Sequence, residues 1–409
     1  MRNRHVIIVG GGASGLVAAI TAAREGASVT IVEQKERLGK KILSTGNGRC
    51  NLTNAYMDTC CFRGNDTAIV EDVLNTFGYE ESVSFFEELG VILKERQGYL
   101  YPISDQAATI TDVLCMEIEH LQIKVLLEQS VKKITRDKEE YVIHTTKNIL
   151  RGDAVILATG GKAASVLGSD GSGYALAKSF GHHVTSVVPA LVQLKGKGKF
   201  FKQISGVRTH AKVSLYVNEQ YVAEDTGELQ LTNYGISGIP VFQVSRYAAK
   251  ALHEKQPVMA EVDFLPTMSD DTFQSFLQAR LDAHGHKNAE DFLVGVFHKK
   301  LIGLLLKASA INNDEVMEHV SQEKLVKLAS VSKHFRIQIE DTNDFEQAQV
   351  CAGGVYTTEV NPQTMESVYA DNLYLTGELL DIDGICGGYN LQWAWSTGYI
   401  AGKHAAKGN

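Results

Sequence analysis

The sequence predicts an α/β protein whose main domain is built from both ends of the chain, with a β-rich piece and a helical piece inserted between them. Three observations predict this. Residues 5–33 read as strand, glycine turn, helix, strand. From Val184 the pattern shifts to short alternating β-like runs as far as Leu265, and from Ser269 to about Ser332 it is helical and poor in glycine. After "HFRIQIED" the remaining residues return to an α/β pattern.

Taken in order, Val6–Val9 is a buried strand, Ala13–Arg24 an apolar helix ended by Gly26, and Ser28–Val32 the second strand. Residues 34–54 form a long polar, glycine-rich loop. Asp66–Thr76 and Glu80–Leu89 carry amphipathic helical spacing. Ser104 stands as an N-cap for a helix from Asp105 to His120. Strands come next at Ile123–Leu127, Val131–Thr135, Glu140–Thr145 and Ala154–Ala158, with a hairpin around Arg136–Glu139. The insertion reads as β in "HAKVSLYVN", "QYVAE", "ELQLTN" and "PVMAEVDFL". These shifts divide the chain into residues 1–188, an inserted β-rich piece at 189–266, a helical piece at 267–333, return strands at 334–350, and the closing part of the first domain at 351–409.

The chain has 409 residues, 44% of them hydrophobic and 22% charged, as in globular proteins with ample core. A net charge of −8 gives no basic footprint for nucleic acid or an anionic membrane. The six cysteines form neither C-x-x-C nor C-x4-C, which argues against a zinc knuckle, a metal site or a redox disulfide and fits a reducing compartment. Glycines interrupt the N-terminal apolar run after four residues, and no stretch of 18 apolar residues exists, so a cytoplasmic protein is expected.

The turn "VIIVGGGASGLVAA" carries G-x-G-x-x-G as Gly10, Gly12 and Gly15, placed between strand and helix as the mechanism requires. Gly10 allows the tight turn, Gly12 lets backbone approach a pyrophosphate, and Gly15 lets helix and strand pack closely. Ala13 and Ser14 open the helix, whose free N–H groups and dipole face the phosphates. Glu33, with Gln34 after it, ends the second strand where an acid should hold a ribose hydroxyl. An acid there argues against a 2′-phosphate.

NAD and FAD share this fingerprint, and the next segment of the chain separates them. A simple NAD domain passes directly into its next helix. Here "ERLGKKILSTGNGRCNLTN" intervenes, a long loop of the kind that carries function. Lys40, Lys41 and Arg49 in it suit an anionic phosphate or a reduced flavin, and Thr45, Gly46, Asn47, Cys50 and Asn51 are its candidate cofactor contacts. Two strand ends with small residues also suit close approach: Ala158-Thr159-Gly160 and Gly377-Glu378, with Glu378 placed to accept from a ribityl hydroxyl. Gly387-Gly388-Tyr389-Asn390 then starts a final helix through residue 402, whose first amides are expected at the flavin's N1–C2=O edge. On this reading valine at Gly388 harms the flavin site more than the fold. Trp393, Trp395 and Tyr399 read as core.

These stretches resemble a family of bacterial NAD(P)/FAD-dependent oxidoreductases that includes a flavoprotein of bile-acid conversion. The resemblance spans nearly the whole chain and rests on "GGGASGL", "GKKILSTGNGRCNLTN", "YPISDQA", "ATGG", "GELQLTNYGISG", "AQVCAGGV" and "TMESVYADNLYLTGELLDIDGICGGYNLQWAWSTGYIAG". It implies non-covalent FAD on a Rossmann-like domain of the two-dinucleotide-binding-domain flavoprotein superfamily, an inserted β-barrel and a small helical domain. It also implies that the backbone of Val131 meets the adenine. The family often has histidine where this chain has Asn233, beside Tyr234. An amide has no usable pKa near 7, so that position supplies no acid here unless another group such as Tyr234 does.

No second G-x-G-x-x-G with its own acid is present, so NAD(P)H is expected only as a transient donor. A small organic substrate is expected between the FAD domain and the β insertion, since pockets favour domain interfaces. Candidate catalytic groups are Arg49, Cys50, Tyr234 and Arg208, with Thr232, Ser237 and Cys386 as further lining residues. Three functions stay open: a reductase or dehydrogenase, an oxidase of a small amine, and a flavin-binding protein with a partner- or RNA-binding role. The substrate and the oligomeric state stay open too.

Overall fold

The computed structural model describes residues 3–408. The chain divides into two compact units: the first holds the chain up to Val188 and from Ala348 onward, the second is Pro189–Gln347.

The first unit is organised by a five-stranded parallel sheet in the order Leu373–Leu375, Ala154–Leu157, His5–Val9, Ser28–Val32, Lys124–Leu126. Val6 faces Val29 on one side and Ala154 on the other, and Val155 faces Leu373. Val6, Ile7 and Ile8 are wholly buried, which explains why this strand is a continuous apolar run rather than an alternating one. One edge strand comes from the C-terminal section, so the sheet is incomplete without the end of the chain.

The first helix, Ala13–Arg24, and the last helix, Tyr389–Lys407, lie side by side in parallel. Gly398 rests on the carbonyl of Ser14, and Gly402 on the carbonyl of Ala18; a Cβ at either position would collide with backbone. Four-residue spacing puts both glycines on one stripe, so the two backbones touch over a full turn. Trp393 and Trp395 are buried core residues whose indole N–H groups donate to the carbonyls of Gly377 (3.1 Å) and Leu52 (3.0 Å). The last helix runs past residue 402 to Lys407.

Two helix starts fall later than the sequence suggests. Asp105 has φ +54°, outside helical geometry, and the helix begins at Ala107; the Ser104 hydroxyl accepts weakly from Gln106 N at 3.4 Å. Asp66 accepts from Ala68 N at 2.9 Å instead of continuing the helix, which begins at Ile69. In both cases a short polar side chain favours a local turn over a helical turn.

The second unit is a closed antiparallel barrel in the order Leu194–Gly196, Gly235–Gly238, Gln220–Leu231, Arg208–Val217, Val258–Asp263, Phe335–Thr342, closed by pairing of the first with the last. "QYVAE" and "ELQLTN" form one unbroken strand, Gln220–Leu231. Among the β-runs that dominate residues 184–265 stands a 15-residue helix the sequence reading did not name, Ile239–His253, with Pro240 in its first turn. Its buried positions Val241, Val244, Ser245 and Ala248 repeat at helical spacing, and proline there lacks only an N–H that no helix uses at that point. The helices Asp270–His284, Ala289–Leu293, Lys299–Ala308 and Gln322–Lys333 complete this unit. Among the described residues no helix is long and apolar enough to cross a membrane.

Gly402→Ala should destabilise the protein by about 1–3 kcal/mol in urea unfolding, because the added methyl meets backbone that has no room to move. Gly303→Ala, where a Cβ meets nothing within 4 Å inside a helix, should instead stabilise by about 0.5–1 kcal/mol through helix propensity. Equal effects of the two would show that the helix contact is slack.

Candidate cofactor site

The three fingerprint glycines differ physically as their roles require. Gly10 has φ +107° and abuts the carbonyl of Ala158. Gly15 abuts the carbonyl of Gly10, while a Cβ on Gly12 would stand in open space with nothing within 4 Å. Thus Gly10 and Gly15 are locked by packing, and Gly12 opens the start of the first helix to a ligand. No side chain caps that helix, which leaves its first-turn amides, those of Ala13 and Ser14 among them, for another acceptor.

Glu33 lies beneath this turn, 8% exposed. One carboxylate oxygen accepts from Gly11 N and the other from Lys35 N, both at 2.7 Å. Burial pushes its carboxyl up from the usual range, while the backbone amides of Gly11, Lys35 and Gln34 pull against that. Glu33 therefore braces the glycine turn as well as marking the expected ribose position. The sequence reading missed Gly11 as its partner, although a third consecutive glycine was the signal. Gln34 donates through Nε2 to the carbonyl of Gly168 at 2.5 Å. The backbone of Gln129 bonds back to Glu33 O at 3.0 Å, so the segment leading into Val131 runs beside the same strand end.

Ala158–Gly160 meets this turn through the Gly10 contact, and Gly377 packs against the Ser14 hydroxyl. Glu378 is tied on both oxygens: Lys41 Nζ at 2.8 Å and Cys351 N at 2.7 Å. Each oxygen thus has one protein partner, and its remaining lone pairs are those a ribityl hydroxyl would use. Cys351 was unassigned in the sequence reading; burial pushes its thiol up to about 12, and the nearby Glu378 carboxylate adds to that.

A second cluster forms where the loop meets the last helix. Thr45, Gly46 and Asn47 break the short helical turn Ile42–Gly48, and Gly46 packs on Asn51 N. Thr53 and Asn54 lie against the Gly387-Gly388 turn, with Asn54 Nδ2 donating to Gly387 O at 3.0 Å. Asn390 is spent on its own loop: Oδ1 accepts from Gly384 N and Nδ2 donates to Gly384 O, both at 2.8 Å. The side chain thus closes its own loop, and the expectation of a contact through the helix's first backbone amides is left as it stands. Tyr389 is buried, its hydroxyl donating to Tyr56 O at 2.9 Å. Asn54 and the buried hub Gln392, bonded to Thr53, Ser82, Ser396 and the carbonyls of Phe77 and Gly78, were also missed. An amide beside the two tryptophans of an otherwise apolar helical stretch was the available signal for Gln392.

Among the catalytic candidates, Cys50 is corrected. It is fully buried and its thiol is pushed up to about 12 by burial, so it is a neutral core group and not a nucleophile. Arg208 is a surface cation pairing with Glu228 at 3.2 Å, which favours a surface role over substrate anchoring. Arg49 is exposed on the loop. Tyr234, in the barrel unit, accepts from Asn343 Nδ2 at 2.9 Å. Near it Thr232 closes the turn by accepting from Gly235 N at 3.0 Å, and Ser237 is buried. Cys386 is half-buried beside the glycine turn.

The residues present fit a dinucleotide. Gly12 leaves an open cradle at a helix start, and Asn51 Oδ1 is a buried acceptor with no partner among the described residues. The HI0933-like protein Rossmann domain matches residues 4–404. The chain belongs to this family. It is an FAD-dependent oxidoreductase. It is 52% identical over 402 residues to the 3-dehydro-bile acid delta(4,6)-reductase of Clostridium scindens, covering 98% of each chain. It is 30% identical over 401 residues to the ribosomal RNA dihydrouridine synthase of Haemophilus influenzae, covering 96% of each. The 3-ketosteroid delta1-dehydrogenase of Sterolibacterium denitrificans superposes over 98% of this chain and 99% of its own with a TM-score of 0.53 at 12% identity, a likeness of fold alone.

The geometry around Gly388 and Glu33 is open to direct test. A Cβ on Gly388 would lie 2.8 Å from backbone atoms of Thr53, and Gly388 has φ +96°. Gly388→Val should therefore lower the melting temperature of the apo protein as well as its FAD content, contrary to the reading that valine there spares the fold; unchanged apo stability would restore that reading. For Glu33, a carboxyl raised on folding contributes stability that is complete below its unfolded value, 4.5, and is lost as pH rises through the higher folded value. The stability of the apo wild type relative to Glu33→Gln should hence fall from pH 4 to pH 7.5 in urea titrations. A difference that grows with pH would show that the amide bonds outweigh burial.

Proposed function

We propose that this protein reduces a carbon–carbon double bond conjugated to a ketone in a steroid of the bile-acid type, with FAD as the resident cofactor and NAD(P)H as a transient donor. The observation that carries the reading is 52% identity, end to end, with a reductase of that substrate class. The Gly10–Gly15 turn holds the pyrophosphate, Glu33 the adenosine ribose and the backbone at Val131 the adenine. Gly377, Glu378 and the Lys41 ammonium attend the ribityl chain, and the amides at Gly388–Asn390 attend the flavin edge.

When bound, FAD supplies hydride transfer. The chain's own contribution is positional and electrostatic. The start of the last helix, at Gly388–Asn390, would offer its positive end and first amides to the edge of a bound flavin, where they would favour negative charge. The Lys41–Glu378 pair keeps a cation near that region without leaving it uncompensated, because Glu378 is held by Cys351 N as well. Cys50 and Cys351, both with raised thiols, remain protonated and do not compete for the substrate's electrophilic carbon.

A second reading has its own support in the 30% and 27% identity to ribosomal RNA dihydrouridine synthases of Haemophilus influenzae and Escherichia coli. Their named product implies saturation of a double bond conjugated to a carbonyl, so the chemistry is of one kind. The net charge of −8 weighs against a polyanionic substrate. Nothing in these relatives favours an amine oxidase.

The test is an anaerobic assay of the FAD-loaded protein with NADH or NADPH. A 3-oxo-Δ4,6 bile acid should lose its dienone absorbance and gain two mass units, while unmodified ribosomal RNA is left unchanged. Conversion of uridine in the RNA with no steroid turnover would overturn the reading in favour of the second.

A further inference from the structure

The stretch "YPISDQA" is one of those that carry the family resemblance, yet it holds none of the cofactor positions. Its first residue, Tyr101, lies on the strand Tyr99–Pro102, which pairs with Thr53–Asn54 on one side and Leu93–Arg96 on the other. Leu100 and Pro102 are buried, so alternation turns Tyr99 and Tyr101 to the opposite face. That face joins the two turns expected at the flavin. A Cβ on Gly387 would lie 3.2 Å from the Tyr99 ring, and a Cβ on Gly46 would lie 3.7 Å from the Tyr101 ring.

Two hydrogen-bond donors on this wall are unspent. The Tyr101 side chain is half-buried, and its hydroxyl bonds nothing among the described residues. Burial pushes its phenol up from the ordinary value and Tyr99 adds to that, while Arg49 and Arg96 pull against it. Tyr101 is thus a protonated donor near neutral pH with a cation beside it. Arg96 is not that cation, because it pairs with Asp105 at 3.3 Å, and Lys94 takes the same carboxylate at 2.5 Å. The guanidinium of Arg49 is exposed and has no ion pair or hydrogen bond among the described residues. Its backbone, in contrast, is held. Arg49 N donates to Gly46 O at 3.2 Å and Cys50 N to Thr45 O at 3.1 Å, while Leu52 N donates to Leu100 O at 2.8 Å and ties the loop to the tyrosine strand. Asn47 and Cys50 have φ of +54° and +56°, a conformation that residues other than glycine rarely adopt. Strain of this kind gathers at functional sites.

We propose, resting on the reading of this protein as a reductase of conjugated ketones, that Tyr101 and Arg49 hold the ketone oxygen of the substrate and the negative charge that reduction places on it. Hydride from the reduced flavin bonds to the carbon β to the ketone. The electron pair of the C=C double bond shifts toward the carbonyl carbon, and the C=O pair moves onto oxygen, giving an enolate. The α-carbon then takes a proton from water and the C=O bond re-forms, which leaves a saturated ketone and oxidised flavin. The phenol O–H and the guanidinium both donate to the oxygen throughout, and neither gains or loses a proton. Their bonds strengthen only while the oxygen carries charge, which is where fixed donors lower a barrier.

The test uses the oxidised, FAD-loaded protein and 4-nitrophenol, whose phenolate offers a planar, conjugated oxyanion like that of the enolate. Nitrobenzene is the neutral control. At pH 6, where free 4-nitrophenol is mostly protonated, the bound form should be the coloured phenolate, saturating at one per chain, and nitrobenzene should bind about tenfold or more weakly. Arg49→Gln should weaken phenolate binding about ten- to a hundredfold and Arg49→Lys less. Tyr101→Phe should weaken it about tenfold with no change in melting temperature, since the hydroxyl bonds nothing in the protein; these are the ranges of hydrogen bonds to a charged group. Tyr221→Phe, at an exposed position of the barrel unit, should leave binding as it was. Absent binding, binding of the neutral phenol alone, or affinity unchanged in Tyr101→Phe or Arg49→Gln would overturn the proposal. Loss of FAD from Arg49→Gln with unchanged phenolate affinity per bound flavin would overturn it too, and assign Arg49 to the cofactor. The titration contains no steroid, so its failure is distinct from failure of the bile-acid reading, which steroid turnover by the wild type decides.

Discussion

The contact between the first and last helices is the constraint on which the FAD-binding unit depends. Gly398 and Gly402 bring backbone against the carbonyls of Ser14 and Ala18, with no side chain between. Nothing larger than hydrogen fits, so the two helices have a fixed axial register. That register places the glycine turn at the start of one helix and the Gly387-Gly388 turn at the start of the other in a set relation, although 378 positions separate Gly10 from Gly388 in the chain. The edge strand Leu373–Leu375 enters the parallel sheet under the same constraint.

Around that contact, buried polar groups are used to hold backbone rather than to carry chemistry directly. Glu33 fixes Gly11 and Lys35; Glu378 fixes Cys351 and Lys41; Asn390 closes the loop from Gly384; Gln392 ties Thr53 to Ser82. Each is a buried or half-buried acceptor or donor with its partners supplied. A cofactor site built this way has preorganised amides and glycines at its surface and little freedom beneath. The pattern agrees with a family in which the flavin does the redox step and the protein sets position and field. It also explains why the thiols of Cys50 and Cys351 are inert: burial keeps them neutral.

Much of this was legible in the sequence, for reasons that are local. The strand–turn–helix–strand of residues 5–33 is encoded by contiguous apolar runs and by glycines whose separate needs arise from the turn itself. The tryptophans of the last helix read as core and are core. The helix Ile239–His253 was also encoded, by Pro240 and by helical spacing, but it stood among β-runs and was absorbed into them. Helix starts at Ala107 and Ile69 escaped because one turn of polar residues can cap or continue a helix, and only the backbone angles decide.

By itself, then, the sequence determined the α/β class, the nucleotide turn, the acid at Glu33 and the assignment of the tryptophans to the core, because each depends on neighbours within a few residues or on simple periodicity. Tertiary structure alone decided the partners. Gly388 reads as an open approach for a ligand until Thr53 is found against it; Cys50 reads as a candidate nucleophile until its burial is known; Glu378 reads as an acceptor for a ribityl hydroxyl, with no sign of the Lys41 and Cys351 that also meet it. The physical reason is common to all three. A side chain's desolvation and its hydrogen-bond partners are set by segments tens to hundreds of residues away, and one-dimensional spacing carries no record of which of them arrives.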